Sequence, residues 1–205
     1  MTAHLKLVAA TEVKQTENSG RQSNTAYRDR EYMTEDEVLK LLQALKRNRQ
    51  GHRDWLMGLL AYRHGLRVSE LIDLKWSDFN EAAGQMLVRR LKGSQDNSHF
   101  LEADEINALR RLRREGPTHE LYIFKSERDH FTRDGFAKMI KRAGEAAGLP
   151  FPCHPHMLRH ACGFKLANAG VATRDLQNYL GHKNIMSTVR YTALVAKPLP
   201  VKWKR

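Results

Sequence analysis

The chain has 205 residues, and its 35 lysines and arginines exceed its 23 aspartates and glutamates to give a formal net charge of +12. This length allows one main domain with a sizeable core. The charge indicates a polyanionic partner, first of all nucleic acid, although a merely soluble basic protein has the same property. The longest apolar run, Trp55 to Tyr62, is well below the roughly 20 residues that a membrane span requires.

Cysteine usage and the N-terminus bear on the compartment. The chain has two cysteines, Cys153 and Cys162, and its N-terminus has too short an apolar stretch for a secretory signal. These features favour a reducing cytoplasm. We expect both cysteines to be small buried hydrophobic residues.

Regular structure is predicted to begin near Thr34. Residues 1–31 are polar and lack an apolar period, so we expect a flexible N-terminal arm there. Thr34 as the N-cap and Glu37 three residues later form a capping-box pattern that starts an amphipathic helix. Its buried face is predicted to consist of Val38, Leu41, Leu42 and Leu45.

The rest of the chain alternates between helices and one small sheet. Further helices are predicted over residues 52–63, from Val68 onward, and over 103–116, 132–148, 155–169, 173–180 and 185–192. Two short strands, Met86 to Leu91 and His99 to Leu101, are joined by a loop. The pattern predicts a mainly α domain with a small antiparallel sheet, an α+β fold, over residues 32–192. Residues 193–205 are predicted to form a tail that docks elsewhere.

Six polar residues that packing does not require come from separate predicted elements: Arg67, Lys92, His156, Arg159, His182 and Tyr191. In "HPHMLRHACG", His156 and Arg159 are three residues apart, so on a helix they project from one face and can meet one ligand. For an isolated pair, a carboxylate partner for Arg159 and a capping role for His156 are commoner. A far more specific signal than this pair is the joint occurrence, in one order, of five features: "AYRHGLRVSEL", a lysine on a strand turn, "HMLRH", "LGH" and "YT".

By these motifs the chain resembles the tyrosine recombinases, also called the phage-integrase family, from about residue 34 to 192. The resemblance implies the catalytic-domain fold of that family. It also implies the catalytic residues: the two arginines are Arg67 and Arg159, the lysine on the strand turn is Lys92, the two histidines are His156 and His182, and the nucleophile is Tyr191. The segment "LQNYLGHKNIMSTVRYTA" is most similar to the short invertases that flip fimbrial promoter switches.

The chemistry of DNA cleavage fits these roles. The transition state of a phosphodiester gathers negative charge on its non-bridging oxygens, which the guanidiniums of Arg67 and Arg159 are suited to stabilise. A tyrosine with a pKa near 10 is only about 0.1% phenolate at pH 7, so Tyr191 needs a proton acceptor, for which His156 is the candidate. Attack by Tyr191 would form a 3′-phosphotyrosyl link that a 5′-hydroxyl can resolve without ATP.

Lys92 and His182 complete the expected site. Lys92 would protonate the departing 5′-oxygen, and His182 would orient the phosphate. The resemblance further implies that no metal or other cofactor takes part, and that a homotetramer acts on synapsed double-stranded DNA with inverted-repeat sites. Because only about 33 residues precede the catalytic domain, where most members carry a DNA-clamping domain, we expect accessory DNA-bending proteins to assist.

Several alternatives remain open from the sequence. The same active site serves integration or excision, and a DNA-binding regulator could keep the fold without catalysis. A zinc site is a weaker hypothesis for the cluster of Cys153, His154, His156, His160, Cys162 and His182. His160 is predicted to make a structural hydrogen bond, although the family resemblance implies a position beside the active site. The basic stretches at residues 110–114 and 138–142 are either phosphate-contacting faces or solvated helix surfaces.

Overall fold

The computed structural model describes residues 32–90, 96–116, 120–126 and 130–193. The predicted N-terminal arm, Lys92 with its strand turn, and the tail from residue 194 onward lie outside the described residues. The helices are α1 (Glu35–Lys46), α2 (Gly51–Arg63), α3 (Val68–Ile72), α4 (Ala103–Glu115), α5 (Arg133–Ala146), α6 (Pro155–Asn168), α7 (Thr173–Leu180) and α8 (Met186–Thr192). The strands are β1 (Phe79–Asn80), β2 (Gln85–Val88) and β3 (Asn97–Phe100).

Helix α1 begins where the capping box predicts. The Thr34 backbone N–H donates to Glu37 Oε2 at 2.7 Å, and the Glu37 backbone N–H donates to Thr34 Oγ1 at 3.4 Å. The predicted inward face is buried, and it consists of Val38, Leu41, Leu42 and Leu45. Local capping and apolar spacing together determine this helix, and the prediction is confirmed.

The sheet is antiparallel with strand order β1-β2-β3. The two predicted strands are present with shifted bounds, and the pairing of Met86 with His99 sets their register. Strand β1 was not predicted. It has only two residues, Phe79–Asn80, which is too short for an alternating apolar pattern to show.

Helix α2 lies at the centre of the fold, packed against α1, α4 and α6. Leu56, Met57 and Leu60 are fully buried on it, as expected for a helix that is apolar on most sides. The chain leaves α2 through Gly65, whose φ of +56° is a left-handed conformation that favours glycine. This turn carries Arg67 to the start of α3.

The remaining sequence expectations concern the cysteines, the faces of α4 and the absence of a membrane span. Cys153 and Cys162 are free and buried, as predicted. In α4, Leu109 is buried while Arg110 and Arg113 are exposed. Within the described ranges, every helix is too short or too polar to cross a bilayer.

Candidate active site

Three arginines from separate elements meet at the C-terminal end of α7. Each donates from Nη2 to one of three successive carbonyl oxygens. The pairs are Arg90 with Tyr179 at 2.5 Å, Arg159 with Leu180 at 2.6 Å, and Arg67 with Gly181 at 3.0 Å. Carbonyls at a helix C-terminus lack intrahelical partners and carry partial negative charge, so they bind cations. The end of α7 therefore orders the three guanidiniums.

Glu70 lies among the same guanidiniums, and its side chain is fully buried. Its Oε1 accepts a hydrogen bond from Arg67 Nη1 and its Oε2 accepts one from Arg90 Nη1, both at 2.7 Å. Arg159 Nη1 is 4.0 Å from Oε2. One carboxylate thus faces three guanidiniums, and this arginine cluster (Arg67, Arg90 and Arg159 with Glu70) keeps an excess of positive charge that a bound phosphate can neutralise.

The arginines differ in access to solvent. The side chain of Arg67 is 36% exposed, whereas those of Arg159 and Arg90 are 1% and 0% exposed. Burial, and next the charge of Arg67, lower the pKa of Arg159 to about 10, so Arg159 stays charged at neutral pH. Arg67 offers donors at the surface, and the other two guanidiniums place positive charge beneath it.

Tyr191 lies in α8, which packs against α6 and α7, and it is 1% exposed. Its hydroxyl oxygen is 2.8 Å from Nδ1 of His160. Its ring meets Phe164 edge to face at a centroid distance of 5.1 Å and stacks with His182 at 6.1 Å. The phenol is therefore held next to an imidazole nitrogen inside the protein.

Gly163 of α6 makes room for this ring. A Cβ atom at Gly163 would lie 2.7 Å from the nearest ring carbons of Tyr191, closer than van der Waals contact allows. A larger residue at this position would displace either α8 or the tyrosine. The absence of a side chain at Gly163 thus allows the Tyr191 ring to pack directly against α6.

The histidines around Tyr191 are neutral at physiological pH. Burial, followed by the neighbouring His156, lowers the pKa of His160 to about 3. Desolvation of the imidazole, and next the charge of Arg159, lower the pKa of His156 to about 4, although part of the residue is exposed to solvent. When His160 carries its proton on Nε2, its Nδ1 is free to accept the phenolic proton.

His182 is fixed by the turn after α7. Its Nδ1 is 2.8 Å from Oγ1 of the buried Thr188, and its carbonyl oxygen accepts a hydrogen bond from Gln177 Nε2 at 2.9 Å. Burial, with Arg159 as the next cause, lowers the pKa of His182 to about 3. If Thr188 donates to Nδ1, the proton of the neutral ring is on Nε2, where it can be donated to a phosphate oxygen.

The structure brings the predicted site residues into two adjoining groups. Arg67 and Arg159 meet at the end of α7, while the Tyr191 ring of α8 stacks with His182 and contacts α6. His156 is one helical turn from His160, with ring centroids 4.6 Å apart. Lys92 falls outside the described residues. Within the described ranges, groups of three or more His, Cys, Asp and Glu side chains close enough to hold a metal ion are absent.

Three site residues were not assigned a role in catalysis from the sequence: Glu70, Arg90 and His160. Glu70 was detectable, since it follows Arg67 by three residues, the spacing of an ion pair on one helix face. His160 was predicted to make a structural hydrogen bond, and the bond that the structure shows is to the Tyr191 hydroxyl. Arg90 has no sequence signal that distinguishes it from Arg89.

Comparison with known proteins agrees with this geometry. Residues 31–197 match the model of the phage integrase family. The chain is 43% identical over 182 residues to the type 1 fimbriae regulatory protein FimE of Escherichia coli K12, an alignment that covers 86% of this chain and 92% of FimE. It is 38% identical over 181 residues to FimB of the same strain, with 86% and 90% covered.

A solved structure supports the fold assignment. The crystal structure of XerA recombinase superposes with a TM-score of 0.71 at 30% identity, covering 80% of this chain and 60% of the XerA chain. The predicted α+β fold of a tyrosine recombinase catalytic domain and the predicted enzyme class are confirmed. The chain belongs to the phage integrase family, the tyrosine-type site-specific DNA recombinases.

Proposed function

We propose that this protein inverts a promoter-bearing DNA segment, in the manner of a fimbrial switch, by cutting and rejoining DNA through a 3′-phosphotyrosyl intermediate. The observation that carries the proposal is the arginine cluster at the end of α7 beside a histidine-bonded tyrosine. The similarity to FimE and FimB, which are named as regulators of type 1 fimbriae, favours a fimbrial switch over integration or excision of a mobile element.

The scissile phosphate is the ligand that the arginine cluster fits. Arg67 would bind a non-bridging oxygen from the exposed side, and Arg159 would stabilise the charge that develops in the transition state. His182 would donate to another phosphate oxygen. The net charge of +12 would draw the rest of the DNA backbone to the protein without selecting its sequence.

Proton transfer accompanies both bond changes. The Tyr191 oxygen forms a bond to phosphorus as the bond from phosphorus to the 5′-oxygen breaks, and the phenolic proton passes to an imidazole. We assign that role to His160, because its Nδ1 is 2.8 Å from the hydroxyl oxygen, with His156 next to it. Lys92 would supply a proton to the departing 5′-oxygen.

Cleavage requires a change in the position of Tyr191. With 1% of the residue exposed, a phosphate cannot reach the phenolic oxygen until α8 shifts relative to α6. Assembly on DNA is the proposed trigger. A homotetramer on two inverted-repeat sites, with the tail of residues 193–205 docking on a neighbouring protomer, would link this shift to synapsis. Accessory DNA-bending proteins would help to bring the sites together within the nucleoid of the cytoplasm.

A nicked half-site DNA incubated with protein in excess chelator tests the proposal. We expect a covalent protein–DNA species with the wild type and none with Tyr191→Phe, while gel-shift binding persists in both. Absence of the species with the wild type would instead favour a DNA-binding regulator. A supercoiled plasmid carrying the two sites as inverted repeats then tests inversion, and products that are only excised circles or integrants would contradict the fimbrial-switch assignment.

A further inference from the structure

Arg90 is a buried cation that the proposed reaction does not yet use. It follows β2 and its side chain is 0% exposed. Its Nη1 donates to Glu70 Oε2 at 2.7 Å and its Nη2 to the carbonyl oxygen of Tyr179 at 2.5 Å. His99 of β3 is close to the same Nη2, with Nε2 at 3.4 Å. Arg90 thus joins the sheet to α3 and to the end of α7.

The turn after α7 is shaped around this side chain. Gly181 has a φ of +63°, and a Cβ atom there would lie 2.6 Å from Arg90 Nε. A side chain at position 181 would therefore meet both backbone strain and the Arg90 guanidinium. Arg90 fills the space directly beneath the turn that leads to His182.

Stability alone does not explain a guanidinium in this place. Its Nε has no hydrogen-bond partner among the described residues, and burial lowers the pKa of Arg90. Apolar residues of similar volume often replace buried ion pairs without loss of stability. A buried charge with incomplete hydrogen bonding is more readily explained by a functional requirement.

That requirement follows from the shared carboxylate. Arg90 occupies Glu70 Oε2, and the next guanidinium near this oxygen is Arg159, whose Nη1 is 4.0 Å away. Arg159 and Glu70 therefore make only a long ion pair, and without Arg90 the carboxylate would be free to approach Arg159 to hydrogen-bonding distance. The pairing would neutralise an arginine that the transition state needs as a cation.

We propose that Arg90 is a positioning residue for DNA cleavage: it holds Glu70 away from Arg159 and anchors the end of α7, so that Arg67 and Arg159 meet the phosphate with their charge available. The inference rests on the proposed function, since it assigns Arg90 a part in the same cleavage step. It acts through Glu70 and the α7 carbonyls, not by contact with DNA.

Single-turnover cleavage of the half-site at saturating protein, with gel-shift binding and thermal melting, tests this role. The variants are Arg90→Met, Arg90→Lys and the double variant Arg90→Met with Glu70→Gln. Arg53→Met is the matched control, because Arg53 also joins a carboxylate, Asp54, to a backbone carbonyl, that of Lys125, at the opposite end of α2.

We expect Arg90→Met to cleave on the order of 10²-fold more slowly with DNA affinity changed by less than about 10-fold. Arg90→Lys keeps the charge but lacks the planar fork by which two nitrogens reach Glu70 and the Tyr179 carbonyl, so it should lose about 10-fold. The double variant, which also lacks the Glu70 charge, should cleave at least about 5-fold faster than Arg90→Met, since Arg159 is then no longer neutralised. Arg53→Met should cleave like the wild type.

Three results would overturn the inference. One is wild-type cleavage by Arg90→Met or, if that variant does not fold, by Arg90→Lys. The second is a double variant that cleaves no faster than Arg90→Met, which is the outcome of a purely structural role. The third is an equal loss of cleavage in Arg53→Met. These results leave the proposed function intact, whereas a wild type that forms no covalent species overturns both the proposed function and the inference about Arg90.

Discussion

The arginine cluster and the tyrosine region are held in very different ways. The cluster is fixed by hydrogen bonds from the α2–α3 junction, from the end of β2 and from α6 to one carboxylate and three successive carbonyls. Tyr191 lies on α8, a helix of 7 residues, where ring packing and a bond to His160 retain it. The charged part of the site is assembled in advance, while the proposed nucleophile is enclosed.

This difference indicates how cleavage is controlled. Preorganised cations need no rearrangement when charge develops on the phosphate, which is the most effective form of electrostatic catalysis. Under the proposed function, in contrast, the enclosed phenol would not react until α8 moves. Substitutions in the cluster should therefore act on the chemical step, and substitutions around Tyr191 should act on access, proton transfer or stability.

The largest effect is expected at Arg159. In Arg159→Lys, one ammonium nitrogen replaces the two guanidinium nitrogens that reach the carbonyls of Gly65 and Leu180, so the charge is no longer held rigidly toward the phosphate. Cleavage of the half-site should fall by about 10²- to 10³-fold with binding nearly unchanged. A loss of less than about 10-fold would show that the cluster is not the main source of transition-state stabilisation.

The next-largest effect on cleavage is expected from substitution of His160. His160→Gln should lower the cleavage rate by on the order of 10²-fold at pH 7, because the phenol loses its proton acceptor. The defect should shrink as the pH approaches 10, where tyrosine ionises unaided. His156→Gln is the control, and its defect should stay constant over this range. A defect that shrinks with pH in His156→Gln and stays constant in His160→Gln would instead assign the role of proton acceptor to His156.

Acid should destabilise the fold through its buried histidines. Burial lowers the pKa of His99 and of His160 to about 3, with His64 and His156 as the next causes. Above the ordinary pKa near 6.5 both rings are neutral in the folded and unfolded states; below it only the unfolded chain takes up protons. The free energy of unfolding should fall by roughly 2 to 3 kcal/mol per pH unit below pH 6. Equal urea midpoints at pH 7 and pH 5 would contradict this.

The smallest effect is expected at Gly163. Gly163→Ala places a methyl group 2.7 Å from the Tyr191 ring and should cost about 1 to 3 kcal/mol of unfolding free energy. In the background of Tyr191→Ala the ring is gone, and the cost should largely disappear. Equal losses in both backgrounds, measured by chemical denaturation, would mean that the methyl group clashes elsewhere.

Features that depend on short stretches of sequence were predictable. The capping box at Thr34 and the apolar spacing of α1 involve neighbours within two helical turns, and the structure confirms them. Strand β1 gave no such signal, because two residues cannot show a period and their pairing with β2 depends on the rest of the fold. The α+β class was predictable since it needs only the type and order of elements.

The site was predictable only in part. Its motifs predicted Arg67, Arg159 and Tyr191 by family resemblance, but not the groups that hold them in place. Arg89 and Arg90 are adjacent and chemically identical, yet their side chains are 57% and 0% exposed. Which of two neighbouring arginines enters the core depends on strand register and on the position of Glu70, and these are properties of the whole fold.

Identification of the residue joined to DNA is the most direct test of the account. The covalent species formed on a half-site would be digested with protease and nuclease, and the nucleotide-bearing peptide would be sequenced by mass spectrometry. We predict a single adduct, a 3′-phosphate of DNA attached to the oxygen of Tyr191. An adduct on any other side chain, or a link to a 5′-phosphate, would contradict the central claim that this enclosed phenol is the nucleophile served by the arginine cluster.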